Sequence, residues 1–265
     1  MPSYNITTIS ASTYSTALSR YASAAPASLH ALDAQRYDAI PAAVAKRRDD
    51  KFLNKSEVEK LVEWKLKHGT FRPKLLQLAQ SNDEGLIKET TTSAFGFLKS
   101  SPSPSSKDIL AALKILIKLK GIGPATASLL LSVAAPETVP FFSDELFRWC
   151  TWNESGSPAG WKRGIKYNMK EYEALLGNVG NIRERMDVRA VDVERVAWVL
   201  GREGVDCGDG EDSEETIEER ETEEKAVKAD TKEKPKKAVE KGTKRKAADV
   251  KPPTEGTRKS ARTKK

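Results

Sequence analysis

The sequence predicts an all-α protein, a helical bundle that is followed by a disordered, charged C-terminal tail. Apolar residues recur with the 3.6-residue period of amphipathic helices through most of residues 37–207. No run of useful length alternates apolar with polar residues, as a half-buried strand would. After about Cys207 large apolar residues almost disappear. A segment of that composition buries too little surface to offset its ordering entropy, so we expect disorder there.

These patterns divide the chain into three parts. Residues 1–36 are rich in Ser, Ala, Thr and Tyr and poor in acids, which predicts a loosely ordered N-terminal arm. The same composition is found in mitochondrial transit peptides, but Arg20 is the only base among the first 30 residues and such peptides carry several. Residues 37–207 form the expected helical domain, and residues 208–265 the tail.

The first helices of the domain are marked by their ends. Asn54 or Ser56 can cap a helix that Gly69 ends, and Pro73 is suited to the first turn of the next one. Residues 83–98 predict a third helix. Its core candidates are Leu86, Ile87, Phe95, Phe97 and Leu98.

The most informative stretch is KLKGIGPATASLLL, residues 118–131. An apolar helix over 107–119 runs into Gly121 and Gly123, which permit positive φ and a close approach of the backbone. Pro124 then starts a second apolar helix. The first amide groups of that helix and the positive end of its dipole can bind a phosphate oxygen, because no side chain covers them. The alternative is an ordinary turn between two packed helices.

The string L-K-G-I-G-P-A-T-A resembles the helix-hairpin-helix motif of the base-excision DNA glycosylase (HhH-GPD) superfamily, L-x-G-[IV]-G-x-x-T-A. The resemblance covers about residues 50–205, and its specific matches lie within 116–149. In that family the hairpin grips the DNA backbone through main-chain amides, often with a bound monovalent cation. The resemblance therefore implies a double-stranded DNA partner and DNA-backbone binding by Lys120, Gly121, Ile122, Gly123, Ala125 and Thr126.

A carboxylate follows the hairpin at the family's distance. The catalytic aspartate of the superfamily lies roughly twenty residues beyond the hairpin, and VPFFSDELFRW places Asp144 twenty-one residues after Gly123. Glu145 is the alternative if the register differs by one residue. Breaking an N-glycosidic bond builds positive charge on the deoxyribose, which a carboxylate beneath the sugar can stabilise. An acid in the first turn of a helix is also common for the dipole alone.

The chain departs from the family in three places. Branches that also cut the DNA strand carry a lysine two residues after the second glycine, where this chain has Ala125. The usual Asp-Thr-His is Asp-Glu-Leu, residues 144–146. The two cysteines and two histidines show no metal-ligand spacing, so we expect neither an iron–sulfur cluster nor a metal cofactor.

The remaining charged and aromatic residues suggest further contacts. Trp149, Lys162 and Arg163 belong to a stretch that interleaves aromatic with basic residues, as nucleic-acid surfaces do, although buried aromatics would give the same pattern. Residues 208–230 carry 11 acids against 3 bases, and residues 231–265 carry 14 bases against 4 acids. Within the basic block, Lys244, Arg245 and Lys246 resemble a nuclear-import signal. The tail is a candidate contact for proteins or nucleic acid.

We therefore expect a nuclear monomer that binds DNA and removes a damaged base with Asp144 and water; a mitochondrial location is the lesser alternative. A non-catalytic DNA-binding or chromatin-associated adaptor is the second hypothesis, and a purely structural helical module the third. No apolar run approaches the roughly 20 residues that cross a bilayer, so we expect no membrane partner.

Overall fold

The computed structural model describes residues 2–99 and 104–208, and within them every regular element is helical, as predicted. The expected tail, with the import candidates Lys244, Arg245 and Lys246, lies outside the described residues apart from residue 208. The helices, joined by short 3-10 turns and a π-helical segment at Ala34–Ala39, are α1 (Ala11–Ser19), α2 (Tyr21–Ala24), α3 (Ala27–Asp33), α4 (Ile40–Lys46), α5 (Lys55–His68), α6 (Leu75–Gln80), α7 (Glu84–Gly96), α8 (Ser106–Leu116), α9 (Pro124–Ala134), α10 (Asp144–Cys150), α11 (Met169–Met186) and α12 (Ala190–Glu203).

Helix α5 has the ends that its sequence predicts. The Asn54 side chain accepts a hydrogen bond from the Glu57 amide at 2.9 Å, and the Glu57 carboxylate accepts one from the Asn54 amide at 2.9 Å. This reciprocal pair satisfies two amides that the first turn leaves unpaired. At the other end the Gly69 amide donates to the Lys65 carbonyl at 3.1 Å. Asn54, rather than Ser56, is thus the cap.

Helices α6 and α7 differ from the prediction in detail. Lys74 has a positive φ of 67°, which delays the start of α6 until Leu75, two residues beyond Pro73. In α7, Ile87 and Phe95 are buried as expected. Two of the predicted core residues, Leu86 and Phe97, are instead exposed, and Leu98 is partly buried against the core.

The prediction of a loosely ordered arm over residues 1–36 is wrong. The segment forms α1, α2 and α3, and its apolar side chains Ile9, Tyr14 and Leu29 are buried in the main core. The guanidinium of Arg185 in α11 donates to the carbonyl of Ile9 at 2.8 Å. The small Ala and Ser residues that suggested a loose arm leave these helices free to pack closely on the rest of the fold.

The proposed boundary after Arg36 also has no structural counterpart. It falls inside the π-helical segment Ala34–Ala39, which continues directly into α4. Arg36 itself is fully buried, and its guanidinium donates to the hydroxyl of Ser132 in α9 at 2.7 Å. Residues 2–99 and 104–208 therefore belong to one compact unit, with the N-terminal helices as part of its core.

Helix α9 lies at the centre of this unit. Every residue from Ala125 to Ala134 is buried, and the helix contacts α4, α5, α7 and α8. Helix α10 packs against α11 and α12. Because α9 starts at the hairpin and the chain then leads into α10, the core itself sets the position of the hairpin relative to Asp144.

Candidate functional site

The two glycines of the hairpin have different tasks. Gly121 has a φ of +75°, which L-amino acids with a side chain rarely adopt. A Cβ added at Gly121 would also lie 2.8 Å from the Cβ of Leu78 and 3.1 Å from the amide nitrogen of Ala79. Gly123 has ordinary extended φ and ψ of −90° and 179°, is exposed, and has no atom within 4 Å of such a Cβ. Gly121 thus allows the turn to pack closely against α6, while Gly123 leaves the solvent-facing side of the turn uncovered.

Asn82 holds the turn in place, a role that its sequence position did not reveal. Its side-chain amide donates to the Lys120 carbonyl at 2.9 Å, and its side-chain oxygen accepts from the Lys120 amide at 2.9 Å. A third hydrogen bond, to the Ala79 carbonyl at 2.9 Å, ties the same side chain to α6. Asn82 is buried. Only the fold brings it opposite Lys120, 38 residues away.

The start of α9 offers amide groups rather than side chains. The Gly123 carbonyl accepts the first helical hydrogen bond, from Ala127 at 2.8 Å, while Ala125 and Thr126 lie in the first turn, where amides have no acceptor within the helix. The side chains of Ile122, Ala125 and Thr126 are buried. The first turn of α9 borders a pocket of about 210 Å³. Its other walls are formed by Lys65, Arg72, Leu75 and Tyr167.

Asp144 is the first residue of α10 and faces a second, smaller pocket. Ser143 caps the helix by accepting from the Leu146 amide at 3.2 Å. One carboxylate oxygen of Asp144 accepts from the Tyr167 hydroxyl at 2.8 Å, and the other from the Thr70 hydroxyl at 3.4 Å. The Asp144 side chain keeps 18% of its surface exposed. Its carboxylate is therefore oriented without being sealed from solvent.

Glu145, the alternative acid, occupies a tighter position. A Cβ added at Gly201 in α12 would lie 2.7 Å from its Cγ and 3.3 Å from the Trp161 ring, so Glu145 fills the space that this glycine leaves. Burial raises the pKa of the Glu145 carboxyl. Both acids line the small pocket, but the hydroxyl contacts belong to Asp144. Of the two acids, Asp144 is therefore the one whose carboxylate is oriented by hydroxyl groups and partly open to solvent.

Tyr167 connects Asp144 with the hairpin pocket. Its φ of +54° is unusual for a residue with a side chain and marks local backbone strain. The Arg72 guanidinium lies 5.0 Å from the centre of its ring. Burial, together with the hydrogen bond to Asp144, raises the pKa of the phenol to about 12, so that Tyr167 remains a hydrogen-bond donor at neutral pH. No motif in the sequence singles out this tyrosine.

The two pockets share one wall. Lys65, Arg72 and Tyr167 line both the pocket at the hairpin and the pocket at Asp144. The latter has a volume of only about 10 Å³, the lower limit for a single water molecule. The structure therefore brings the predicted hairpin and the predicted acid together along one cleft, narrow at Asp144 and wider at Gly123.

His68, which lines the narrow end of the cleft, belongs to a buried stack of aromatic rings. The His68 ring lies between Trp64 and Trp198, with ring centres 4.2 Å and 5.0 Å away. Its Nε2 is 3.6 Å from a carboxylate oxygen of Glu194. Burial holds the pKa of His68 well below its usual value and raises that of Glu194 to about 7. Neutral His68 thus lines the pocket without adding a charge to it.

The rim of the cleft carries an exposed aromatic side chain. Phe71 is 71% exposed, the highest value among the large apolar residues described in 2–99 and 104–208. It lies in the loop between α5 and α6, between Thr70, which contacts Asp144, and Arg72, which contacts Tyr167. Phe71 could not be singled out from the sequence, because a lone phenylalanine between helices has no distinguishing pattern.

The three other residues proposed as DNA contacts lie in different environments. Trp149 is fully buried and its indole donates to the Tyr4 carbonyl at 2.8 Å, so its assignment as a DNA contact is wrong. Trp149 thus packs inside the protein and contacts the N-terminal segment. The Arg163 guanidinium donates to the carbonyls of Glu154 and Ser155 and serves the preceding loop. Lys162 is exposed, and its contact with DNA stays a prediction.

In residues 2–99 and 104–208 no group of three or more His, Cys, Asp or Glu side chains could hold a metal ion. No helix in the same ranges is long and apolar enough to span a membrane. Comparison of the chain with protein-family models, with curated proteins and with solved structures finds no match. The function must accordingly be argued from the site itself.

Proposed function

We propose that this protein binds double-stranded DNA through the α8–α9 hairpin and hydrolyses the N-glycosidic bond of a damaged base, with Asp144 as the reacting carboxylate. The observation that carries the proposal is the single cleft that runs from the open amides at Gly123 to Asp144. A turn that only joined two packed helices would not require an oriented carboxylate in the same cleft.

The wide end of the cleft suits a DNA phosphate. The first-turn amides and the dipole of α9 present partial positive charge, and the exposed face of Gly123 allows an oxygen to approach them. Lys118 and Lys120 add exposed cationic side chains on the hairpin, and Arg72 adds another on the opposite rim. Cations placed along a groove track a phosphate backbone without reading its sequence.

The narrow end suits the sugar of a displaced nucleotide. Cleavage of the N-glycosidic bond builds positive charge on the deoxyribose, which the carboxylate of Asp144 can stabilise while it activates the attacking water. Tyr167 and Thr70 hold this carboxylate by hydrogen bonds. Because the pocket at Asp144 is so small, entry of a base requires the loop that carries Phe71 to move outward. Phe71 is then placed to stack on the neighbouring bases.

DNA binding at the hairpin is tested with Gly123→Gln, which fills the open face without adding charge. Gly177→Gln is the matched control, since Gly177 lies exposed on α11 and has equal space for a Cβ. We expect Gly123→Gln to weaken duplex binding at least tenfold and to reduce the dependence of log K on log salt concentration by about one phosphate contact. Equal affinities for the two variants would remove the hairpin from the interface.

Catalysis is tested with Asp144→Asn on duplexes that carry an alkylated, a deaminated or an oxidised base. We expect the wild-type protein to release at least one of these bases and Asp144→Asn to release it at least a hundredfold more slowly with unchanged duplex affinity. Glu145→Gln is the control, because Glu145 is packed against Gly201. Full activity of Asp144→Asn would move the reacting acid elsewhere.

A non-catalytic DNA-binding adaptor is the second candidate, and the small volume of the pocket at Asp144 favours it. In that case Asp144 serves only to fasten the loop of Thr70 and the strained Tyr167 to α10. An adaptor would bind DNA with the same dependence on Gly123 but leave every damaged oligonucleotide intact. For both candidates we propose a monomer that the basic block of the tail directs to the nucleus.

A further inference from the structure

Two tyrosines and two acids form an unbroken series of oxygen–oxygen contacts away from the hairpin. The Tyr21 hydroxyl in α2 lies 3.1 Å from Oδ1 of Asp33 in α3. The Tyr37 hydroxyl, from the π-helical segment, lies 3.2 Å from the Tyr21 hydroxyl and 3.2 Å from Oε2 of Glu194 in α12. Asp33, Tyr21, Tyr37 and Glu194, which we call the tyrosine bridge, thus connect four elements of the fold through three contacts.

The two ends of the tyrosine bridge lie in different surroundings. Asp33 is half-buried and lines a pocket of about 280 Å³ together with exposed His30. Its Oδ1 also accepts a hydrogen bond from the Trp64 indole at 2.7 Å. Glu194 is fully buried. Its second oxygen, Oε1, has no hydrogen-bond partner within the described part of the chain and lies 3.6 Å from Nε2 of His68. The bridge therefore leads from a surface pocket to a carboxyl group that solvent does not reach.

The tyrosine bridge needs one hydrogen more than its two hydroxyl groups carry. Each of the three contacts joins two oxygen atoms, which attract each other only if a hydrogen lies between them. A phenol supplies one hydrogen, and an ionised carboxylate supplies none. With Asp33 and Glu194 both ionised, Tyr21 and Tyr37 satisfy two contacts, and the third brings two lone pairs together. One of the two carboxyl groups must therefore hold a proton.

Burial places this proton on Glu194 rather than on Asp33. It raises the pKa of both carboxyls, that of Glu194 to about 7. Hydrogen bonds from Trp64 and Tyr21 stabilise ionised Asp33 and oppose its shift. The other charged or titratable groups near the two carboxyls are the cations Arg36 and Arg195, which oppose the shift of Glu194, Glu145, which adds to it, and the histidines His30 and His68. With Glu194 protonated, all hydrogens of the bridge point one way, through both phenols to Asp33.

We propose that the tyrosine bridge is a proton wire, through which the buried carboxyl of Glu194 exchanges its proton with the pocket at Asp33. When each of the three hydrogens moves one step, Glu194 loses its proton, both phenols are restored, and Asp33 gains a proton that it passes to water. The carboxylate left at Glu194 then lies beside His68, which lines the narrow end of the cleft. The wire thereby sets the charge behind that end of the cleft. No step of this inference needs the proposed function.

Infrared difference spectroscopy of the full-length protein locates the extra proton. At about pH 6 ordinary carboxyl groups are ionised and lack the carbonyl stretch of an un-ionised acid. We expect this band in wild-type protein and its loss in Glu194→Gln, whose side-chain amide supplies the missing hydrogen and should preserve stability. Asp33→Asn, which keeps an acceptor for Tyr21, should retain the band. Its absence from the wild type, its persistence in Glu194→Gln or its loss in Asp33→Asn would overturn the inference.

Transfer into heavy water tests the wire itself, because deuterium lowers the frequency of the band and the time course gives the exchange rate. We expect Tyr21→Phe to slow this exchange at least tenfold, since it interrupts the bridge but leaves the contact between Tyr37 and Glu194. The rates are compared at a pH at which each variant carries the band. Tyr14→Phe is the matched control and should exchange at the wild-type rate, because the buried Tyr14 hydroxyl has no hydrogen-bond partner in the part of the chain that the structure describes.

Equal exchange rates in Tyr21→Phe and Tyr14→Phe would show that the proton reaches solvent by another route and would refute the wire. Neither measurement involves DNA. Failure of the wire is therefore distinguishable from failure of the proposed function, which duplex binding and base release test separately.

Discussion

Replacement of Gly121 by alanine tests the structural account of the hairpin most directly. The added Cβ would lie 2.8 Å from the Cβ of Leu78, 3.1 Å from the amide nitrogen of Ala79 and 3.3 Å from the carbonyl oxygen of Leu75. Two of these atoms are backbone and the third is fixed to it, so α6 must shift as a whole to relieve the contact. The variant must also hold a φ of +75°. Gly123→Ala, two residues later, meets neither obstacle.

The positive φ and the close contacts together set the expected loss of stability in Gly121→Ala. Left-handed φ costs a residue with a side chain about 1–2 kcal/mol. Overpacking at a well-packed site costs about 1–3 kcal/mol. Gly121→Ala should therefore lower the free energy of unfolding by about 2–5 kcal/mol. For Gly123→Ala the loss of about 0.5–1 kcal/mol from a poorer cap is offset by a gain of about 0.4–1 kcal/mol from a stiffer unfolded chain, so the expected net change is within about 0.5 kcal/mol.

Equilibrium urea denaturation, monitored by the circular dichroism of the helices, measures the free energy of unfolding of both variants under the same conditions. The slope of the unfolding free energy against urea should stay constant, so that the difference between the variants reflects stability alone. DNA affinity should show the reverse pattern, because the Cβ of Gly123→Ala protrudes where a phosphate is proposed to approach. Equal stabilities for the two alanine variants would refute the description of the turn, whatever their DNA binding.

Two further predictions concern the cleft. If the Phe71 ring stacks on a base, Phe71→Ala should weaken binding of damaged duplex by about 1–3 kcal/mol, as measured by fluorescence anisotropy. Stability against urea should change little, because the ring is exposed. Unchanged affinity would remove Phe71 from the interface. Tyr167→Phe deletes the hydrogen bond to Asp144. We expect single-turnover base release to slow roughly tenfold or more without loss of duplex affinity. An unaltered rate would show that Asp144 does not need this hydrogen bond.

The hairpin and the helix ends were predictable because their causes are local. Gly121 permits its own left-handed φ, Pro124 presets the first turn of α9, and Asn54 caps α5 through an amide three residues away. The helical class follows in the same way from the 3.6-residue period. Each of these features depends on interactions within a few residues, which the order of amino acids displays.

The N-terminal segment and Trp149 show where local reasoning failed. Residues 1–36 are rich in small side chains, but Ile9 and Tyr14 are buried in the main core. Helix α12 packs against α1, and Arg185 of α11 binds the Ile9 carbonyl. Trp149 lies near basic residues in the sequence, yet its indole points inward to the Tyr4 carbonyl, 145 residues away. Burial is a property of the neighbours that the fold supplies, and those neighbours are distant in the chain.

The sequence by itself determined the all-α class, the tight turn at Gly121 and Gly123, and an acid at residue 144 for a helix start. Only the tertiary structure decided that this acid shares a cleft with the hairpin. Tyr167, which orients Asp144, comes from the loop before α11, whereas Lys65, which lines the same pocket, comes from α5. Packing alone brings these elements together. Chemistry at a site depends on distances between side chains, and in a helical bundle most of those distances are set by contacts between helices rather than along them.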